Sequence, residues 1–377
     1  MILTQRQRLS FARLPCYTGS MSQLTIVSYY TRKGIKIGAI VLTLLIVGRV
    51  SLTLAINYWK KLHPPPPPPA DTAFGKLPNI NFPRSNKPKP ANFQLETIEG
   101  GLPSNFPEQV KVFFIPQIGG RFLSLEKANK MADGLGFGDQ PQKLSENEYL
   151  YTNSLNNTKL NVNVLTESFQ YQYSYLTDQT LIHPPYLPPK SEAISVAQGF
   201  LERVGKLTPE LSDGQYQSSY WKIIGTQLVP AAAPSEADFV RVDVSRQEIS
   251  DPESPTISYP IALPNPDQSL ISLLISGVKV QSKNVIEANY TFFPVDRQKL
   301  AGYPGKLVEQ AWEELKAGNF FLASYAGNEK ETVKIRKVFL AYYEPQTSSH
   351  FLQPIFVFQG DANFQGYVPA VSSEWTE

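Results

Sequence analysis

Twenty residues from Ile37 to Ile56, IGAIVLTLLIVGRVSLTLAI, set the first condition on this chain. That is about the length of apolar helix needed to cross a hydrocarbon core. Tyr29 and Tyr30 precede the run and Tyr58 and Trp59 follow it, as interfacial aromatic belts do. Residues 1–36 hold Arg6, Arg8, Arg13, Arg32, Lys33 and Lys36 and no acid, against Lys60 and Lys61 close behind the run. That asymmetry predicts a cytoplasmic N-terminus. A cleaved signal needs a small-x-small site, and Leu52-Thr53-Leu54-Ala55 is a poor one. The expectation is a single-pass helix over residues 37–57 behind a basic cytoplasmic lead, 1–36, with the lipid bilayer as its first partner. Met21 offers a second start, which would leave residues 1–20 and Cys16 out of the protein.

Arg49 interrupts the run. A charge at mid-span costs about 2.5–3.5 kcal/mol on insertion scales. Either Arg49 snorkels to the interface, or it pairs with an acid on a partner helix and is an intramembrane contact.

Proline is abundant, 32 of 377 residues, and Pro64 to Pro69 are consecutive. Such a run forms a polyproline II rod of about 3.1 Å per residue. Residues 58–95 therefore read as a stand-off spacer, with a ligand for aromatic-lined grooves as the alternative. Phe74, Leu77, Ile80 and Phe82 place the spacer's distal part against a folded domain.

Residues 37–90 add seven basic residues against Asp71, so a whole-chain charge of +2 leaves residues 91–377 at −10. An acidic main domain argues against nucleic acid, whose phosphates need a basic face. The lone Cys16 excludes a disulfide framework and Cys-rich metal modules.

Three amphipathic helices follow. The first takes Ser124 as N-cap and aligns Leu125, Ala128, Ala132 and Leu135 before Gly134 and Gly136. The second starts at Ser191 and aligns Ala193, Ala197, Phe200, Leu201 and Val204, ending at Gly205. The third has Pro304 in its first turn and aligns Leu307, Val308, Ala311, Trp312 and Leu315, ending at Gly318. Strand patterns surround the last two helices in the same order. Residues 160–165, 169–175, 220–229 and 238–245 flank the second; residues 273–280, 285–293, 333–343 and 354–358 flank the third. Ser191 to Pro304 is 113 positions and Pro230 to Pro345 is 115. The pattern predicts an α+β fold: a leading strand–helix–strand piece (96–155) and a duplicated ββαββ unit (156–250 and 251–377), with helices packed on antiparallel sheets.

The C-terminal stretches Leu340-Ala-Tyr-Tyr-Glu, Leu352-Gln-Pro-Ile-Phe-Val-Phe-Gln-Gly and Gly366-Tyr-Val-Pro-Ala-Val resemble the last strands of PepSY-like domains. They also resemble the YycH and YycI families, extracytoplasmic regulators of the WalK sensor kinase. A similar plan of short lead, one membrane helix and duplicated outer domain occurs in uncharacterised bacterial membrane proteins. The resemblance covers about residues 160–377, and it implies a noncatalytic binding or regulatory module. No functional residue carries over.

Chemical motifs are sparse: no GxSxG, HExxH, EF-hand or Walker run occurs. No catalytic residue, cofactor site or metal site is assigned. His183 and His350 sit in loops, Glu313 with Glu314 reads as a solvated helix face, and Asp251 with Glu253 lies in a proline-rich loop. The row Phe169, Tyr171, Tyr173, Tyr175 has the period of one sheet face. Exposed, it would stack on a cell-wall glycan; covered by the second helix, it is core. The expected function is a membrane-anchored binding module acting on a protein partner in the envelope, with a glycan binder as the alternative and an envelope hydrolase as the third reading.

Overall fold

A computed structural model describes residues 23–62, 70–85, 88–117, 121–138 and 140–377. The proline run and residues 1–22 lie outside the described residues. The chain divides into two units, Met1–Pro67 and Pro68–Glu377.

The first unit holds one helix, Gln23–Leu62. Its stretch Ser28–Ile56 is long and apolar enough to cross a membrane. Those 29 residues reach about 43 Å at 1.5 Å per residue, so the segment 37–57 lies inside a longer helix. The hydroxyls of Thr43 and Thr53 donate back to the carbonyls of Ala39 and Arg49, at 2.9 and 2.8 Å. Both polar groups are thereby satisfied within the helix itself.

The second unit is α+β and is built on two main sheets. The larger has nine strands, in the spatial order Gln142–Lys143, Glu148–Asn153, Thr158–Asn163, Phe169–Tyr173, Val285–Tyr290, Ile271–Ser276, Phe239–Ser245, Gln215–Ile224 and Gln227–Pro230. Every pairing in it is antiparallel. The helices Arg121–Gly134 and Lys190–Arg203 cover one face. Ala193, Ala197, Phe200 and Leu201, the stripe expected of the second helix, are all buried there. Along Phe239–Ser245, Val240, Val242 and Val244 point into this core.

The second sheet has six strands. Asn92–Leu95, Thr332–Tyr343, Pro354–Gly360, Phe364–Pro369 and Phe321–Ser324 lie side by side, and Ile261–Ala262 also pairs with Thr332–Tyr343. The helix Val308–Lys316 packs on one face through Val308, Ala311 and Leu315. A small sheet of Asp296–Pro304, Gln109–Phe114 and Phe351–Leu352 contributes to the same core.

Three expectations change. Two consecutive ββαββ units are not what forms, because Ile271–Ser276 and Val285–Tyr290, read as opening the second unit, are inserted in the nine-stranded sheet. They lie between Phe169–Tyr173 and Phe239–Ser245. All six residues of Ile271–Ser276 are buried, which suits a central strand covered on both faces. Second, the spacer's distal part packs on the folded unit as expected, but it also enters a sheet before residue 95. Leu77 is buried, Phe82 stacks on Phe321 at 4.9 Å, and Asn92–Leu95 is a parallel strand against Thr332–Ile335. Third, Pro304 ends a strand rather than opening a helix. The helix starts at Val308, Leu307 is its exposed N-cap, and Ser124 lies inside the helix Arg121–Gly134.

Candidate functional site

The strand Thr332–Tyr343 is the longest in the domain, and one of its edges is only partly used. Tyr342 N–H donates to Pro260 O at 2.9 Å, whereas Tyr343 N–H donates to Gln353 O at 3.1 Å on the opposite side. Backbone groups alternate along a strand. Val338 and Leu340 therefore face the same edge as Tyr342, while Lys337, Phe339 and Ala341 face their register partners Gln359, Val357 and Ile355. Both ends of the free edge are occupied by parallel pairings, Asn92–Leu95 at one and Ile261–Ala262 at the other.

Local chemistry leaves the gap between them. After Glu96 N–H bonds Ile335 O at 2.9 Å, the chain turns away, with Gly100 N–H on Thr97 O at 3.1 Å. Gly100 takes φ +74°, a left-handed conformation that glycine adopts without strain. At the other end Pro260 has no N–H to offer Leu340 O, so pairing stops there.

The gap opens into a cleft of about 1390 Å³ between the two main sheets. Small-molecule sites usually span about 300–1,000 Å³. Phe339, Ala341, Val357 and Tyr367 line one side, and Gln215 and Gln217 from the nine-stranded sheet line the other. Ile98 and Ile257 stand on its rim; Ile98 is fully exposed.

Beneath the cleft the two sheets are clamped by charge. Arg246 has no exposed side-chain surface. Its guanidinium grips Glu344 through Nε and, at 2.7 Å, through a terminal nitrogen. It also donates to Glu210 Oε2 at 3.1 Å and to Phe293 O at 2.8 Å, and it lies 4.6 Å from the Phe292 ring centroid. Arg297 Nε donates to Glu210 Oε1 at 3.1 Å. Burial alone would lower the Arg246 pKa, but Glu344 and then Glu210 outweigh it and raise it. Arg246 follows a strand of the larger sheet and Glu344 a strand of the smaller, so the pair ties the walls of the cleft together. Sequence reasoning missed both residues. Strand register held the signal: Val240, Val242 and Val244 point inward and Arg246 is next in step, as Glu344 is after Leu340 and Tyr342.

The aromatic row is core. Phe169, Tyr171, Tyr173 and Tyr175 are all buried, and Phe169 stacks on Tyr290 at 5.2 Å while Tyr171 meets Phe200 at 5.5 Å. Its rings are therefore covered, which removes the expected stacking face; the exposed side chains of this strand are Gln170 and Gln172. Tyr173 also anchors a polar cluster. Its hydroxyl donates to Asp178 Oδ2 at 2.7 Å, and Lys283 Nζ reaches the same oxygen at 2.6 Å. Bonds from Lys283, then Thr180 and Tyr173, hold the Asp178 carboxyl well below its usual range. A depressed carboxyl stabilises the fold above its unfolded pKa of about 3.9, and this is lost as pH falls through the folded value. Asp178→Asn is expected to lower stability at neutral pH and flatten the acid limb of the stability–pH curve, measured by urea unfolding between pH 7 and pH 3.

The remaining candidates are held by local structure. His183 has φ +50°, donates its N–H to Asp238 Oδ1 at 2.7 Å and keeps an exposed imidazole whose Nδ1 is 3.2 Å from the same oxygen. Asp238 is fully buried and also accepts from Ile223 N–H at 2.8 Å, so it caps a turn. The His350 carbonyl accepts from Ile115 N–H at 2.8 Å. Glu313 pairs with Lys316 and Glu314 with Lys306, at 2.8 and 2.7 Å. Asp251 caps the N–H groups of Glu253 and Ser254, and Glu253 pairs with Lys111 at 2.6 Å. Arg49 is exposed on its helix. Among the described residues no group of three or more His, Cys, Asp or Glu side chains is placed to hold a metal.

No protein-family model and no curated protein matches this chain. A crystal structure of an uncharacterised protein from Eubacterium rectale is similar over 69% of this chain and 82% of its own, at 9% identity and a TM-score of 0.33. A likeness at that level carries no functional inference.

Proposed function

We propose that this is a single-pass membrane protein, N-terminus in the cytoplasm, whose folded domain lies outside the cytoplasm and binds a protein partner in the cell envelope without catalysing a reaction. The observation that carries this reading is the cleft between the two sheets, larger than small-molecule sites and rimmed by exposed isoleucines. The apolar helix and the basic lead support the anchor, and the resemblance to PepSY-like and WalK-regulator domains supports a regulatory role. The covered tyrosine row removes the feature on which the glycan reading stood.

Crosslinking of the full-length protein in its native membrane tests this. One protein is expected to be captured both by the full chain and by a fragment starting at Ala70. Capture of wall glycan without protein, or hydrolysis of a wall or peptide substrate by the purified domain, would replace the reading. An Arg49→Leu variant tests the anchor separately. A partner captured by the full chain but by neither that variant nor the Ala70 fragment places a second contact within the membrane, and unchanged capture assigns Arg49 to snorkelling alone.

A further inference from the structure

We infer that the open edge of Thr332–Tyr343 is a strand-docking site, and that its occupant is an extended segment of a separate protein, added as a short strand between Asn92–Leu95 and Ile261–Ala262. This rests on the partner-binding reading above and names the partner's conformation. The argument begins with hydrogen bonds. Val338 and Leu340 turn their backbone groups to an edge that, among the described residues, the chain pairs on both sides of them but not at them. Backbone amides in a protein interior need partners, and an added strand supplies donors and acceptors in step with them. Tyr259 still lies against the strand, its ring 6.0 Å from that of Tyr342, so the gap runs from residue 336 to residue 340, about 13 Å of strand and room for an extended segment of about four residues.

Side chains choose the composition. The added strand would lie beside Lys337, Phe339 and Ala341, whose side chains face the cleft rather than the core under the helix Val308–Lys316. Apolar residues at alternate positions of the segment would meet Phe339 and Ala341, and neighbouring side chains would reach Ile98 and Ile257 on the rim. A second copy of this chain is disfavoured, because residues 91–377 carry −10 and like charges oppose association. Proline-rich segments are disfavoured too, since they lack the N–H groups that Val338 O and Leu340 O call for.

The test uses the full chain in detergent micelles. Hydrogen exchange is followed at single amides, and the amides of Val338 and Leu340 are expected to exchange at least about tenfold faster than those of Phe339 and Ala341. Equal protection would mean that the edge is already closed, and would overturn the proposal. Random seven-residue peptides displayed on phage are then selected against the same preparation. An enriched peptide is expected to protect the Val338 and Leu340 amides. It should lose at least about tenfold in affinity when alternate residues on one register are N-methylated, with little change on the other register. Phe339→Asp should weaken binding similarly, while Gln170→Ala on the far sheet leaves it unchanged. No enrichment, indifference to N-methylation, or protection that grows with the concentration of the chain itself would each overturn the proposal. Failure here with a protein still captured by crosslinking would sink the docking edge alone; loss of both would sink the partner-binding reading as well.

Discussion

A fragment that stops after Ser250 is expected not to fold, even though it contains the leading piece and the whole of the first expected unit. The two strands that complete its sheet, Ile271–Ser276 and Val285–Tyr290, come later in the chain. Without them Phe169–Tyr173 and Phe239–Ser245 face each other across a gap two strands wide, and Tyr171, Phe200 and Val242 lose the cover of Leu273 and Ala288. Removing two central strands exposes unpaired edges and apolar surface together. Residues 70–250 should show no cooperative thermal transition and should aggregate on size exclusion, whereas residues 70–377 should melt as one unit. Cooperative melting of the shorter fragment would contradict this sheet order.

Arg246→Ala should be among the most damaging single substitutions in the folded unit. It leaves the carboxylates of Glu344 and Glu210, with side-chain exposures of 5% and 12%, without their shared cation. Breaking a buried pair from one side costs about 3–5 kcal/mol. In a unit of this size that is a fall in Tm of about 5–8 °C. The paired change Arg246→Met with Glu344→Leu should recover most of the loss, because it removes both charges and Glu210 keeps Arg297. High salt should not mimic the single substitution, since a buried pair is little screened. Thermal melts of the three proteins check all of this. A drop below about 1 kcal/mol for Arg246→Ala, the range of surface ion pairs, would refute the clamp.

The elements themselves were largely legible in the sequence. The stripe Ala193, Ala197, Phe200 and Leu201 specified a helix and its buried face, and the alternation of Phe239–Ser245 specified a strand with valines inward. What period-two patterns do not encode is the neighbour. A strand's alternation chooses which face is buried and is indifferent to which strand lies beside it, so the hairpin at Ile271–Tyr290 was assigned to the helix that follows it in sequence. The clamp escaped because a charge at a strand end is ordinarily solvated, and only the facing Glu344, 98 residues away, makes Arg246 a core residue. The open edge escaped because it consists of missing bonds. Its two causes, Gly100 and Pro260, are plain in the sequence but look like any other turn residues.

An unpaired edge on a long strand is ordinarily a seed for aggregation. The outermost strands elsewhere in this domain are blunt: Gln142–Lys143 has two residues, Phe321–Ser324 has four, and Gln227–Pro230 closes on a proline. The open stretch of Thr332–Tyr343 is shielded in another way, by its recess within the cleft. A recess admits a single extended chain and turns away the broad edge of another sheet. The same walls that offer a binding place would thus keep the domain soluble, and a substitution that trimmed them would be felt first as precipitation.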